Sequence, residues 1–303
     1  MANGIPGKQP VLGSSVPLRL LLLTVFPVLQ VGLFGLSCLF VTTYPAWAVG
    51  CVLASAAVLN FSVHICVHEF LHYSDRHPLA AGANLLISVT MGQAFNGYRF
   101  HHHNHHRHNN GESDFSRTWR MTAQGNVRYG LWRYMLGWPA QTMRARRALV
   151  SLLPSPVPLQ RLRRRVRLET VAILAVLLVL GLCSWKFAAM YVAMVYVGWA
   201  LVSLHNYGQH PPHAPADIQS YSGRLYNRLF FNNGLHFEHH AEPLKRWHEL
   251  RADAEASQIN EPHLVSPLWR QLRTTVGGRP LHGDATSHTD KNTVADRQLT
   301  GGV

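Results

Sequence analysis

Acidic residues are scarce in this chain of 303 residues, and unevenly so: of 15 Asp and Glu, only Glu112 and Asp114 lie between Asn96 and Leu168, a segment with 14 arginines and no lysine. Cysteine is sparse too. Cys38, Cys51, Cys66 and Cys183 have neither CxxC spacing nor a loop-rich setting, which excludes a disulfide scaffold and leaves packing as their role. No small-residue cleavage pattern closes the first apolar run, so Lys8 and Arg19 near its start do not mark a signal peptide. No internal repeat is visible.

Charge is almost absent from residues 17–42 and 45–67, and from an apolar stretch over 168–204 that is interrupted near Ser184-Trp185-Lys186. At 1.5 Å rise per residue roughly 20 residues cross the hydrocarbon core of a bilayer, so these runs predict four spanning helices, at about 17–42, 45–67, 168–184 and 187–204. The net charge of +13 raises a nucleic-acid partner, but its placement excludes one. The arginines crowd into one inter-span segment, which the positive-inside tendency puts on the cytoplasmic face together with both termini. The nearly uncharged connections at Thr42–Pro45 and Trp185-Lys186 then face the other side. Leu79–Phe95, with Gly82, Asn84 and Gly92 inside it, is short for a span and reads as an interfacial or re-entrant helix returning the chain to the same side. Val127–Arg167 mixes arginines with Trp132, Tyr134, Leu136 and Trp138, which suits helices at the head-group level. Residues 1–16 read as a flexible leader, 17–276 as one membrane domain and 277–303 as a disordered tail.

Histidine is abundant, at 20 residues, and grouped. His68-Glu-Phe-Leu-His72 sets two imidazoles at i and i+4, on one helical face at the end of the second span. His102-His-Asn-His105-His106 and His236-Phe-Glu-His239-His240 both give i, i+3, i+4. His210 follows the fourth span in Asn206-Tyr-Gly-Gln-His210. One metal rarely takes more than four protein nitrogens, so nine such histidines imply two metals. His64, one turn deeper than His68, is either functional or a hydrogen-bonded neutral side chain. His77, His213, His248, His263, His282 and His288 read as ordinary polar residues, as do His103 and His108. His101 is set aside in the same way, although six histidines lie between 101 and 108 and more than one triplet is geometrically possible. HExxH at His68 is also the zinc-protease signature, but that reading lacks an Asn-Pro-x-x-Asp-Gly partner and leaves two boxes without a role.

The three boxes, with spacings HxxxH, HxxHH and HxxHH, resemble the membrane fatty acid desaturase and hydroxylase superfamily. The likeness extends to Arg99, Asn109 and Asp114 around the second box, to Asn206-Tyr-Gly-Gln-His210, and to Phe231-Asn-Asn-Gly-Leu-His236-Phe-Glu-His239-His240-Ala-Glu-Pro followed by Trp247, as in bacterial members. It covers roughly residues 20 to 250. Glu69 stands where many relatives have Asp. The resemblance implies an all-α integral membrane fold, four transmembrane helices under a cytoplasmic helical cap that holds a di-metal site. It implies two non-haem irons on His68, His72, His102, His105, His106, His210, His236, His239 and His240, with no assignment to one iron or the other. His64, His101 and His205 are possible further ligands, and Asp114, Asn206, Asn232 and Glu238 are candidates to orient the imidazoles. Expected chemistry is O2-dependent desaturation of a fatty acyl chain. The alternatives are hydroxylation or terminal-alkene-forming decarboxylation within the same superfamily. The expected setting is the bacterial inner membrane, with lipid around the spans. With no haem domain or ferredoxin cysteine cluster in the sequence, electrons are expected from a separate donor such as ferredoxin and its reductase, for which the arginine-rich face is suited.

Overall fold

The computed structural model describes residues 16–72, 80–123, 125–151, 157–212, 218–221 and 223–252. Ten helices and one two-stranded hairpin are found among them. The leader, the tail and the histidines His77, His213, His263, His282 and His288 lie outside the described residues.

Four long helices form the apolar part: α1 (Val16–Phe40), α2 (Ala46–Phe70), α7 (Val157–Cys183) and α8 (Trp185–Gln209). Among the described residues three of these, over Ala46–His68, Leu159–Cys183 and Trp185–Gln209, are long and apolar enough to cross a membrane, whereas the apolar part described for α1 is the shorter Thr24–Phe40. The α7–α8 connection falls at Ser184, as the break in the apolar run predicts. Its Oγ accepts a hydrogen bond from the Lys186 amide and so caps α8. On α7 the apolar stripe Leu168, Val171, Leu174, Leu178 and Leu182 points outward, with Leu182 78% exposed. A stripe of this size suits lipid rather than water.

Two features depart from the expectation. Helix α7 starts at Val157, so the arginines at 161, 163, 164, 165 and 167 sit on the same continuous helix as the span, not on a separate surface helix. Arginine is a good helix former and nothing between 157 and 168 breaks the helix, so the boundary that charge marks in the sequence is not a boundary in the backbone. The fold is also not purely α. Strands β1 (Trp119–Thr122) and β2 (Gly125–Arg128) pair antiparallel, with Trp119 opposite Arg128.

Between α2 and α7 come α3 (Ala80–Met91), α4 (Phe95–His108), α5 (Leu131–Leu136) and α6 (Trp138–Ser151). Helix α3 ends deep in the molecule, where its last carbonyls lack the i+4 amides of a continuing helix. Side chains from the long helices supply the donors: Tyr191 Oη to Val89 O at 2.6 Å, Gln30 Nε2 and Asn60 Nδ2 both to Thr90 O at 2.7 Å, and Trp199 Nε1 to Met91 O at 2.9 Å. The chain then turns through Gly92 at φ +68°, with Val195 so close that a Cβ would fall 2.5 Å from it. Only glycine suits both constraints. Asn60 is held against α8 at Gly198, where a Cβ would lie 2.0 Å from Asn60 Oδ1. This polar cluster and the surrounding core of Val63, Val67, Ile87, Met91, Phe95, Met194 and Val195 set where α4 begins.

Helix α4 is fastened at its start and along its middle. The buried Glu169 carboxylate of α7 accepts from the Asn96 amide at 3.0 Å and from the Asn96 side chain, next to the positive N-terminal end of the helix. Farther along, Arg99 Nε and the His103 ring donate to Leu71 O, just past the end of α2. These ties align the histidines of α2 and α4. Helices α9 (Arg224–Leu229) and α10 (His236–Ala241) close the site from the C-terminal side.

Candidate metal centre

The second and third boxes lie on helices as their spacing implies, whereas the first straddles the end of α2. His68 is on the last turn of α2 with His72 just beyond it, His102, His105 and His106 are on α4, His210 caps α8, and the third box forms α10. The folded chain gathers their nitrogens into two groups: His68, His102, His106 and His239 in one, and His105, His210, His236 and His240 in the other. Within each group the nitrogens lie within 4.8 Å of one another. His72 joins the first group, its Nε2 2.7 Å from His102 Nε2. All nine of these histidines are thus brought together, and both the second and the third box are divided between the groups.

The spacing has a direct physical reading. At a metal–nitrogen distance of about 2.1 Å, two adjacent ligands on one ion stand about 3 Å apart and two opposite ones about 4.2 Å. Here His106 Nε2 and His239 Nε2 are 3.1 Å apart, and His210 Nε2 and His236 Nε2 are 3.0 Å apart. A neutral imidazole has one proton and one lone pair, so this many converging nitrogens cannot satisfy one another by hydrogen bonding alone. His105 Nε2 and His240 Nε2 are buried with no protein partner. The donor set fits two cations.

Protonation fits as well. Burial pushes His72, His102, His106, His236, His239 and His240 well below the ordinary histidine pKa, and repulsion from neighbouring imidazoles lowers them further. Burial and His105 do the same to His210, against an opposing pull from Asp114. The rings are therefore neutral near pH 7 and present lone pairs.

Among the candidate orienting residues, Asp114 bonds a histidine of the second group directly. The His105 Nδ1–H donates to Asp114 Oδ2 at 2.7 Å, which leaves Nε2 as the lone-pair atom. The same carboxylate accepts from the Asn110 amide at 2.8 Å, from the Ser116 amide at 2.7 Å and from the Ser116 hydroxyl at 2.8 Å. Burial opposes its charge, but His105 and the bonds from His105 and Ser116 outweigh burial and hold its pKa below the usual carboxylate value. The loop is shaped by Asn109 and Asn110, both at positive φ after the last turn of α4.

Of the other three candidates, Asn206 and Asn232 reach backbone carbonyls around the site and Glu238 meets a side-chain hydroxyl. Asn206 Nδ2 donates to Ser116 O at 3.2 Å and to Tyr134 Oη at 2.6 Å, joining α8 to the Asp114 loop. Asn232 Nδ2 donates to Trp247 O at 2.7 Å, and Glu238 accepts from the Ser220 hydroxyl. Ser116 and Ser220, in irregular segments, leave no spacing signal in the sequence, and Tyr134, read there as a head-group-level aromatic, is instead buried on α5 with its hydroxyl turned to Ser116 O and Asn206. Of the possible extra ligands none enters either group. His64 Nδ1 donates to Asn60 O at 2.8 Å and its ring meets Trp199 edge-on. His205 is held by Tyr226 Oη at 2.9 Å. His101 is buried with neither ring nitrogen partnered, and burial lowers it to about 4. Among the histidines read as ordinary, His103 anchors α4 to α2 and His248 is exposed. The Glu69 side chain lies outside what the structure describes.

A cavity opens beside the histidines, walled by His68, His102, His105 and His236 and by Ile65, Tyr98, Trp138, Trp199 and Val202.

The family model described as Fatty acid desaturase matches residues 42–266, well over half of the chain. The chain belongs to the fatty acid desaturase family. No curated protein matches it. The matched region of this desaturase-family chain holds all nine histidines of the two groups. Family membership, the apolar helices and the paired histidine groups together fit a membrane-bound, metal-binding oxidoreductase of lipid metabolism.

Proposed function

We propose that this protein is an O2-dependent di-iron fatty acyl desaturase that introduces a carbon–carbon double bond into an acyl chain. The observation that carries the reading is the division of nine histidines, six of them buried and three half-buried, into two adjacent all-nitrogen groups, within a chain of the fatty acid desaturase family. Bound iron would supply reductive activation of O2 and removal of hydrogen from unactivated methylenes.

The protein's own contribution is arrangement. The first iron would be held by His68, His72, His102, His106 and His239, and the second by His105, His210, His236 and His240. Asp114 keeps the His105 proton on Nδ1. The side chains of Ile65, Tyr98, Trp199 and Val202 form an apolar wall next to the histidines, which excludes water and holds methylenes in place. Which hydrogens are removed is set by which carbons that wall presents to the metals, and for how long.

In the same reading α1 is a fourth span, the histidine boxes and both termini face the cytoplasm of a bacterial inner membrane, and electrons arrive from a separate donor of ferredoxin type. The basic face of α6 and of the N-terminal half of α7 supports an acidic donor. The zinc-protease alternative uses His68 and His72 on one ion, yet here three histidines from the other two boxes share their group.

Gas chromatography of host fatty acids with and without expression tests the assignment. A new unsaturated acid is expected. A hydroxylated or shortened product would replace desaturation by the corresponding hydroxylase or decarboxylase reaction.

A further inference from the structure

His101 has no role in the metal groups, although it is one helical turn before His105 on α4 and lines the same cavity. It is 8% exposed, and both of its ring nitrogens are buried without a partner. Among the described residues no other histidine has both nitrogens in that state. A buried polar ring with nothing to bond is costly, and such a side chain on a cavity wall is satisfied when the cavity's occupant brings a polar atom. The same lining includes Gln141 and Thr142 of α6, and Arg144 of that helix acts on His101 electrostatically. Trp138, Trp199 and Val202 in the same lining suit methylenes.

We propose that His101 hydrogen-bonds the carbonyl group of the acyl substrate, so that the carbons close to that carbonyl, rather than those near the methyl end, lie beside the metals. The inference rests on the acyl-chain reading above and deepens it by assigning the substrate's orientation. A ring N–H donates to the carbonyl oxygen, which is an acceptor in a free acid and in a thioester alike. A hydrocarbon of equal length has nothing to offer His101. The carbonyl group is therefore recognised by one side chain that does not touch the metals.

The test is equilibrium binding of two probes, hexadecanoic acid and hexadecane, to purified iron-loaded protein in nanodiscs of uncharged lipid, with iron content measured on the same samples. Binding does not depend on turnover or on the electron donor. His101→Phe preserves ring size and should weaken the acid about tenfold, leaving hexadecane binding and iron content unchanged. His101→Gln keeps a donor and should restore most of the acid's affinity. In the wild type, replacing the acid by hexadecane should lose as much as His101→Phe loses for the acid, since both remove the same bond. Equal weakening of both probes by His101→Phe, unchanged binding of the acid, or a fall in iron content would each overturn the proposal. If the wild type binds the acid and the variant is neutral, only the His101 assignment falls. If the wild type binds neither probe, the acyl-chain reading falls with it.

Discussion

In the proposed di-iron reading, His105 illustrates how one side chain is prepared as a ligand. Its Nδ1 is committed to Asp114 and its Nε2 points, unpartnered, toward the second group. Asp114→Asn replaces an ionised acceptor by an amide and frees the ring to rotate or change tautomer. Metal affinity of the second group is expected to fall by roughly 10–100-fold while the first group keeps its metal. A metal titration that shows two equal, unchanged sites in the variant would contradict this role. His239→Ala is expected to abolish turnover and reduce iron content with membrane insertion intact; full activity would remove His239 from the ligand set. At this scale the sequence is informative about which histidines matter and silent about how they are shared. Spacing of i, i+3 and i+4 puts three rings on one helical face, but the face of α4 lies between two centres, so His102 and His106 turn one way and His105 the other. The third box splits likewise, and only tertiary packing decides it.

At the scale of elements, the buried end of α3 is the feature on which the site's position depends. Its final carbonyls are capped by Tyr191, Gln30, Asn60 and Trp199 from three other helices, and Gly92 and Gly198 provide the clearance. Gly198→Ala would drive a methyl group into Asn60, so the cap on Thr90 must move or break. A loss of roughly 1–3 kcal/mol is expected, seen as a lower melting temperature of the purified protein. An unchanged melting temperature would show that the cluster yields freely. The apolar runs make α1, α2 and α8 legible nearly to their ends, because hydrophobic length is a strong signal. The start of α7 is not legible in the same way, since arginine marks the membrane boundary without ending the helix. The hairpin at Trp119–Arg128 is hidden because four-residue strands hold too few positions to display alternation.

For the whole molecule, the two histidine groups lie at one end of the long helices. His72 and His210 follow directly on α2 and α8, so the site lies at the ends where these two helices finish. If those ends face the cytoplasm, as the arginine distribution supports, a reporter fused after Val303 should be read there; a signal from the opposite side would reverse the orientation. The metal content of the intact protein bears most directly on the central claim. Elemental analysis of purified protein should find about two irons per chain, one for each group of converging nitrogens. A single zinc per chain, with no iron and no change in host lipids, would contradict the di-iron account and return the HExxH motif of α2 to a one-metal reading.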